Sequence, residues 1–189
     1  MQERAEEVAA LFVSLDGVAE SPDKWQFEHF DDAMMAEMAS QIAEQDAVLL
    51  GRVTFQEWAQ YWPTSTDEPL ASFINDTPKY VISTTLEEPL EWNNSTVIGG
   101  DVAEAVAALK REVEGDILVN GSVQLVRKLM EHDLVDEYRL RVFPAVLGAG
   151  KRLFGESGEA VALRLVDAKP AGETLILIYE PGANEAGDA

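Results

Sequence analysis

Gly51 and Arg52 follow directly on the apolar run Ala47–Leu50, and Thr54 stands two residues further on. If that run is a strand and Thr54 opens a helix, backbone N–H groups and one guanidinium converge at a strand-to-helix turn, which is the chemistry of an anion site. Taken alone, the turn reads equally as a glycine needed for close packing beside an arginine in a surface ion pair. A second turn, Asn120-Gly121-Ser122-Val123, joins the apolar run Ile117–Val119 to another helical pattern through small residues and leaves room for a pyrophosphate at a helix start. Ser83, Thr84 and Thr85 place three hydroxyls at the end of the run Lys79–Ser83, suited to a ribose or its phosphate and equally to the capping of a strand end. Asp16, in Ser14-Leu15-Asp16-Gly17, follows the first apolar run and is either a turn-former or a site acid whose pKa partial burial would raise.

The elements that must position these residues are legible from periodicity. Val8–Ser14, Ala47–Leu50, Lys79–Ser83, Thr96–Ile98, Ile117–Val119, Tyr138–Phe143, Ala162–Val166 and Thr174–Tyr179 read as strands. Four helices are expected: Asp31–Glu44 with Met34, Met35, Met38 and Ile42 on one face, Thr54–Gln60 opened by a Thr54/Glu57 capping box, Asp101–Glu112, and Ser122–Glu131. This order is β-α-β alternation followed by a β-rich end. It predicts an α/β, three-layer fold: a mixed, mainly parallel central sheet with about four flanking helices and an antiparallel C-terminal edge. In such sheets ligands bind outside the carboxyl ends of the parallel strands, which is where the four segments lie.

The remaining composition excludes several classes. Thirty-five acids against 14 bases leave a formal net charge of -21, which repels phosphate backbones and anionic lipid surfaces, so nucleic acid and membrane are not expected partners. No run approaches the roughly 20 apolar residues of a membrane helix. The absence of cysteine fits a reducing cytoplasm, the start MQERAEEVAALFVS lacks the pattern of a secretory signal, and a cytoplasmic location is expected. There is no G-x-G-x-x-G, no Gly-Lys-Ser/Thr and no nucleophile elbow. His29, Asp31 and Asp32 are neighbours that cannot all point one way at a helix start, so no metal is expected. Asp31 and Asp32 read as helix-start caps. Residues 1–180 are expected to form one domain and 181–189 a mobile acidic tail.

Four stretches together resemble a known family: FVSLDG (Phe12–Gly17), AVLLGRVTFQ (Ala47–Gln56), KYVIST (Lys79–Thr84) and ILVNGSVQLVRKLMEHDLVDEYRLRVFPAVLGAGKRLF (Ile117–Phe154). They are similar to the reductase domains typified by the C-terminal domain of the bifunctional riboflavin-biosynthesis deaminase/reductase, the RibD C-terminal domain family, which shares the dihydrofolate-reductase-like fold. The resemblance covers most of Val8–Tyr179. It implies an NADPH-dependent reductase acting on a small conjugated heterocycle, pterin/dihydrofolate-like or 5-amino-6-(5-phosphoribosylamino)uracil-like. Cofactor contacts are implied at Gly51, Arg52, Thr54, Ser83, Thr84, Gly121, Ser122 and Val123, with Arg52 facing the adenosine 2′-phosphate and Asp16 as the first candidate for the proton. Trp25, Phe27 and Phe30 would form an aromatic lid over the substrate, or belong to the core.

Family members commonly pair as homodimers, with Tyr138–Phe143 as one place to bury apolar edge. The alternative reading is a non-catalytic nucleotide-binding homodimer that retains the cofactor site. The chain departs from the family in two places. Asn120-Gly121 stands where Gly-Gly is frequent, and Asp31–Asp46 holds no lysine or arginine where the riboflavin enzymes carry basic residues suited to a phosphoribosyl group.

A surface with this excess of carboxylates resembles adaptation to a salt-rich cytosol, because counterions shorten the reach of charge repulsion from about 30 Å at 0.01 M to about 3 Å at 1 M. The expected outcome is a melting temperature that rises between low and molar potassium chloride. A flat or falling melting curve series would contradict the adaptation.

Overall fold

The computed structural model describes residues 5–26, 29–155 and 160–182. It is built on one eight-stranded sheet in the order β4-β3-β2-β5-β1-β6-β8-β7. The strands are β1 (Glu7–Ser14), β2 (Gln45–Gly51), β3 (Lys79–Ile82), β4 (Ser95–Ile98), β5 (Asp116–Val119), β6 (Glu137–Phe143), β7 (Leu163–Ala171) and β8 (Thr174–Pro181). The strands from β4 through β6 pair in parallel, while β8 runs antiparallel to both β6 and β7. All eight expected strands are present. Pro181, placed by the sequence in a tail, belongs to β8, and the Gly182 N–H donates to the Ala162 carbonyl at 2.8 Å. Residues 183–189 lie outside the described residues.

Parallel strands covered on both faces must be apolar along their whole length, and every residue of β1 is buried. Its side chains alternate between two layers. Ala9, Leu11 and Val13 join Val106, Leu109, Val126 and Leu129 of α4 (Val102–Glu112) and α5 (Val123–Met130) on one face. Ala10 and Phe12 face α1 (Asp32–Ile42), α2 (Arg52–Tyr61) and α3 (Leu70–Asp76) on the other, through Met34, Met38, Phe55, Leu70 and Ile74. Helix starts follow their caps: Asp31 Oδ1 accepts from the Met34 N–H at 2.9 Å and Asp101 Oδ1 from the Glu104 N–H at 3.0 Å.

Four expectations are corrected. Thr54 caps nothing: the extended backbone of Gly51 starts α2 two residues earlier, and Gly51 has no side chain to supply a cap bond. Among the described residues a fifth helix, α3, joins the four expected ones; at seven residues it is too short for a periodic signal. Its carboxyl end is closed from outside its own sequence, where the buried Lys79 ammonium donates to the carbonyls of Ile74, Asn75 and Thr77. Burial pulls that ammonium down to about 8. β7 runs to Ala171 and not to Val166, its apolar pattern interrupted by charged residues that a bulge between Leu165 and Asp167 accommodates. Finally, β6 offers no free edge, being hydrogen-bonded to β1 and β8; the outer strands are β4 and β7.

Arg141 of β6 is the one arginine sealed in the interior among the described residues. Its Nε and Nη2 donate to Glu37 Oε2 at 3.0 and 2.9 Å, its Nη2 also donates to Gln41 Oε1, and its guanidinium lies 5.4 Å from the centre of the Phe12 ring. Burial lowers its pKa and the Glu37 carboxylate opposes that shift. The group ties α1 to the β1–β6 pair, directly beneath the carboxyl edge of the sheet. Removing one partner leaves a bare charge in the core, whereas removing both leaves only a packing defect. Glu37→Ala is therefore expected to cost about 3–5 kcal/mol of stability in urea unfolding, and the double change Glu37→Leu/Arg141→Met distinctly less.

Candidate active site

The carboxyl ends of β2 and β5 are adjacent, with Leu49 opposite Val119, so the turns that follow them lie side by side. Gly51 is the N-cap of α2, and a Cβ there would stand 3.1 Å from Ser122 Cβ, tighter than ordinary contact. Gly121 has φ +73, a left-handed conformation that favours glycine, and its missing Cβ would lie 3.9 Å from Thr54 Oγ1. Asn120 is not among the left-handed residues, so its backbone does not require glycine. Ser122 caps α5, its Oγ accepting from the Leu125 N–H at 3.4 Å. Val123 buries its side chain in the core and offers the site only backbone. The result is two helix N-termini converging on a cradle of small residues, where unpaired N–H groups favour an anion.

One strand further out lies a cleft of about 360 Å³ lined by Arg52, Ile82, Ser83, Thr84, Thr85, Ile98, Gly100 and Val102. Arg52 is exposed and its Nη1 donates to Gln56 Oε1 at 3.0 Å; no lining residue is acidic. Ser83 is buried, and its Oγ already accepts from the N–H groups of Thr85 and Leu86 at 3.1 and 3.0 Å, so its first duty is to hold the turn. The exposed Thr84 and Thr85 hydroxyls are the freer ones. The end of β4, where Gly99 and Gly100 follow Ile98, carries none of the motifs named above. Gly100 at φ +91, with open space where a Cβ would be, and Val102 at the start of α4 complete the wall.

Asp16 departs most from expectation. Its Oδ1 accepts from the Ser14 hydroxyl at 2.7 Å and from the Leu147 N–H at 3.1 Å, and its Oδ2 accepts from the Gly148 N–H at 2.8 Å. These donors favour the ionised form and hold it down to about 2, against the upward shift that burial was expected to bring. An acid so held is a poor proton donor. It instead ties the segment after β1 to the segment after β6. Arg152 Nε donates to the Asp16 carbonyl at 2.9 Å, the Ala19 N–H donates to the Lys151 carbonyl at 2.9 Å, and Arg127 of α5 reaches the carbonyls of Arg152 and Leu153.

Beyond this clasp the carboxyl end of the sheet becomes aromatic. Phe12 and Phe143 are 5.7 Å apart, Trp25 meets Phe143 edge-on at 5.7 Å, and Phe30 lies 6.3 Å from Phe12. Trp25 and Phe30 are half-buried against the core, so they both pack and border the site; Phe27 lies outside the described residues. His29 stands 6.3 Å from Phe143 with Nδ1 3.5 Å from Glu173 Oε2, while Asp31 is spent as a cap, so these neighbours do not converge.

The sequence profile of the RibD C-terminal domain matches residues 8–177. The chain belongs to the RibD C-terminal domain family. That membership makes it a domain of the riboflavin/folate reductase type. YyaP of Bacillus subtilis (strain 168), an uncharacterised protein, is 31% identical over 175 residues, which span 89% of this chain and 90% of YyaP. Among solved structures, a pyrimidine reductase-like protein from Corynebacterium diphtheriae superposes with a TM-score of 0.69 at 14% identity, covering 97% of this chain and 94% of the other. Dihydrofolate reductase from Enterococcus faecalis, complexed with NADP(H), has a TM-score of 0.56 at 15% identity, with 96% and 99% covered. These likenesses establish the dihydrofolate-reductase-like fold of this RibD C-terminal-type domain.

Asp16→Asn keeps the shape of the side chain and removes the charge that the two amides and Ser14 face. The Leu147 and Gly148 amides are expected to exchange with deuterium faster in this variant, with β1 and β5 unchanged. Because the carboxylate is depressed, its contribution is complete above the ordinary carboxylate range and is lost only as pH falls toward about 2, so wild-type exchange at these amides should show no loosening near neutrality.

Proposed function

We propose that the chain is an NADPH-dependent reductase of a small conjugated heterocycle, of pterin/dihydrofolate or pyrimidine type. The observation that carries this reading is the order of features along the carboxyl edge of the sheet. The Arg52–Ser83–Gly100 cleft lies over β2, β3 and β4, the paired glycine turns over β2 and β5, the Asp16 clasp over β1 and the aromatic ring cluster over β1 and β6. Neighbouring strands are about 4.8 Å apart, so an extended dinucleotide laid along that edge meets these features in sequence. Arg52 and the Thr84 hydroxyl would hold its 2′-phosphate, the N-termini of α2 and α5 its pyrophosphate, and the segment at Ser14 and Leu15 would border its nicotinamide.

The cradle supports the fit, since Gly51 packs closely against Ser122 and Gly121 takes a left-handed turn, which leaves only small residues at the two helix N-termini. When bound, the cofactor supplies the hydride. The chain's own residues do the rest. Arg52 provides the positive charge that a phosphate dianion requires in a protein of net charge -21. The Asp16 clasp fixes the segments after β1 and β6 beside the nicotinamide position. Phe12, Phe143, Trp25 and Phe30 offer a flat apolar surface to the heterocycle. We place the proton source at this aromatic end, where His29 borders Phe143 at 6.3 Å, and not at Asp16.

Two measurements test the reading. NADPH oxidation followed by absorbance, across a panel of pterin, folate and pyrimidine substrates, should reveal turnover with at least one; tight NADPH binding without oxidation across the panel would favour the non-catalytic alternative. Arg52→Ala should weaken NADPH binding roughly tenfold or more, the loss of a charge-assisted contact, while NADH binding changes little. Equal losses for the two nucleotides would remove Arg52 from the phosphate.

A further inference from the structure

Polar atoms buried without a hydrogen-bond partner are uncommon in folded chains, and each one calls for a reason. Three of them gather at the aromatic end of the sheet: Gln26 Oε1, His29 Nδ1 and Thr174 Oγ1 have no hydrogen-bond partner among the described residues. Thr174 is the most deeply placed, at 1% exposure. It opens β8, and the antiparallel register that sets Val142 opposite Leu175 brings it beside Phe143 at the next step. Side chains alternate along a strand, so Thr174 shares the face of Ile176, whose layer holds Phe12, Met34, Phe143 and Ala171. That company answers a hydroxyl with hydrocarbon. His29 reaches the same corner from the segment before α1. Its Nδ1 stands 3.5 Å from Oε2 of Glu173, the residue preceding Thr174, without forming a hydrogen bond, and its ring lies 6.3 Å from Phe143. Gln26 is tied to it, the His29 N–H donating to the Gln26 carbonyl at 3.0 Å. Two further buried amides, Gln41 and Gln45, also hold unpartnered atoms, but they lie where α1 ends and β2 begins, at the other end of that strand from the site.

We propose that Gln26, His29 and Thr174 determine the specificity of the substrate pocket, receiving a heterocycle by a polar edge that carries N–H groups while the aromatic rings hold its faces. The inference rests on the reading of this end as the place of the reduced ring, and deepens it. Phe12, Phe143, Trp25 and Phe30 alone would take any flat apolar molecule, because burial and stacking are indifferent to where a ring carries its nitrogens. Polar groups set in an apolar wall supply the discrimination, since an analogue without the matching group leaves them buried and unpaired. The three groups differ in what they offer. An amide oxygen only accepts, an imidazole Nδ1 accepts when the ring proton sits on Nε2, and a hydroxyl both accepts and donates. Together they suit an amino or lactam N–H beside a carbonyl, an edge that pterins and pyrimidines have and plain aromatic rings lack. Valine has the outline of threonine and would fill the place of Thr174 without an unanswered hydroxyl, so in the free protein that hydroxyl is a burden that packing does not explain.

Equilibrium binding to the full chain, with and without NADPH, tests the proposal with two probes of like shape. Pterin carries the N–H edge; quinoxaline is a fused bicycle of the same size without amino or oxo groups. Thr174→Val is expected to weaken pterin about tenfold and to leave quinoxaline unchanged, while the melting temperature of the free protein stays level or rises. Thr174→Ser, which restores a hydroxyl, should recover pterin binding. If Thr174→Val does not fold, Gln26→Leu at its half-buried position should show the same selective loss. A wild type that binds neither probe or binds both equally, pterin affinity unmoved in the folded variants, or a lower melting temperature with pterin affinity intact would overturn the inference. Failure of the cofactor reading is seen separately: a chain that binds no NADPH, yet loses pterin selectively in Thr174→Val, keeps this pocket and is not the proposed reductase.

Discussion

The close approach of two strand-to-helix turns is the constraint around which the carboxyl edge is organised. β2 and β5 are neighbours although 64 residues lie between Gly51, the end of β2, and Asp116, the start of β5, and their pairing sets Gly51 against Ser122 with less than ordinary contact distance for a side chain between them. Two helix axes then point their positive ends at one place. A site assembled from backbone dipoles needs few charged residues, which suits a chain whose side-chain charge is overwhelmingly negative. Arg52, the first residue of α2, sets one positive side chain beside them.

From that cradle the site extends in both directions along the sheet, and its chemistry changes with strand number. Toward β3 and β4 it is polar and open, with hydroxyls and Gly100. Toward β1 and β6 it is aromatic, floored by Phe12 and Phe143, and beneath them the Arg141–Glu37 pair joins α1 to the sheet. The Asp16 clasp stands between the two halves. It also reaches α5 through Arg127, so one network of hydrogen bonds connects the helix that forms the anion cradle with the segments bordering the aromatic cluster.

Where sequence reading and structure part, the reason is physical in each case. The Thr54/Glu57 spacing matched a capping box, but Gly51 was already in cap geometry and the helix began before the box could act. Asp16 looked like an acid about to be buried, because its three hydrogen-bond donors include two amides 131 and 132 residues away. β6 looked like a place for an edge because nothing local reveals that β8 returns to pair with it. α3 went unseen because seven residues complete barely two turns, and the lysine that closes its end belongs to the next strand.

The sequence by itself determined what short-range sterics and solvation decide: eight strands from apolar runs, the helix starts at Asp31 and Asp101, and the polar or glycine-bearing strand ends. It also carried the family, since four stretches of motif are a local property. The order of strands, the partners of Asp16 and Arg141, the joining of Gly51 to Ser122, and the meeting of His29 with Glu173 were decided only by tertiary structure. Each depends on contacts between residues far apart in the chain. Periodicity shows that a face must be buried, but which surface buries it is chosen by the packing of the whole chain.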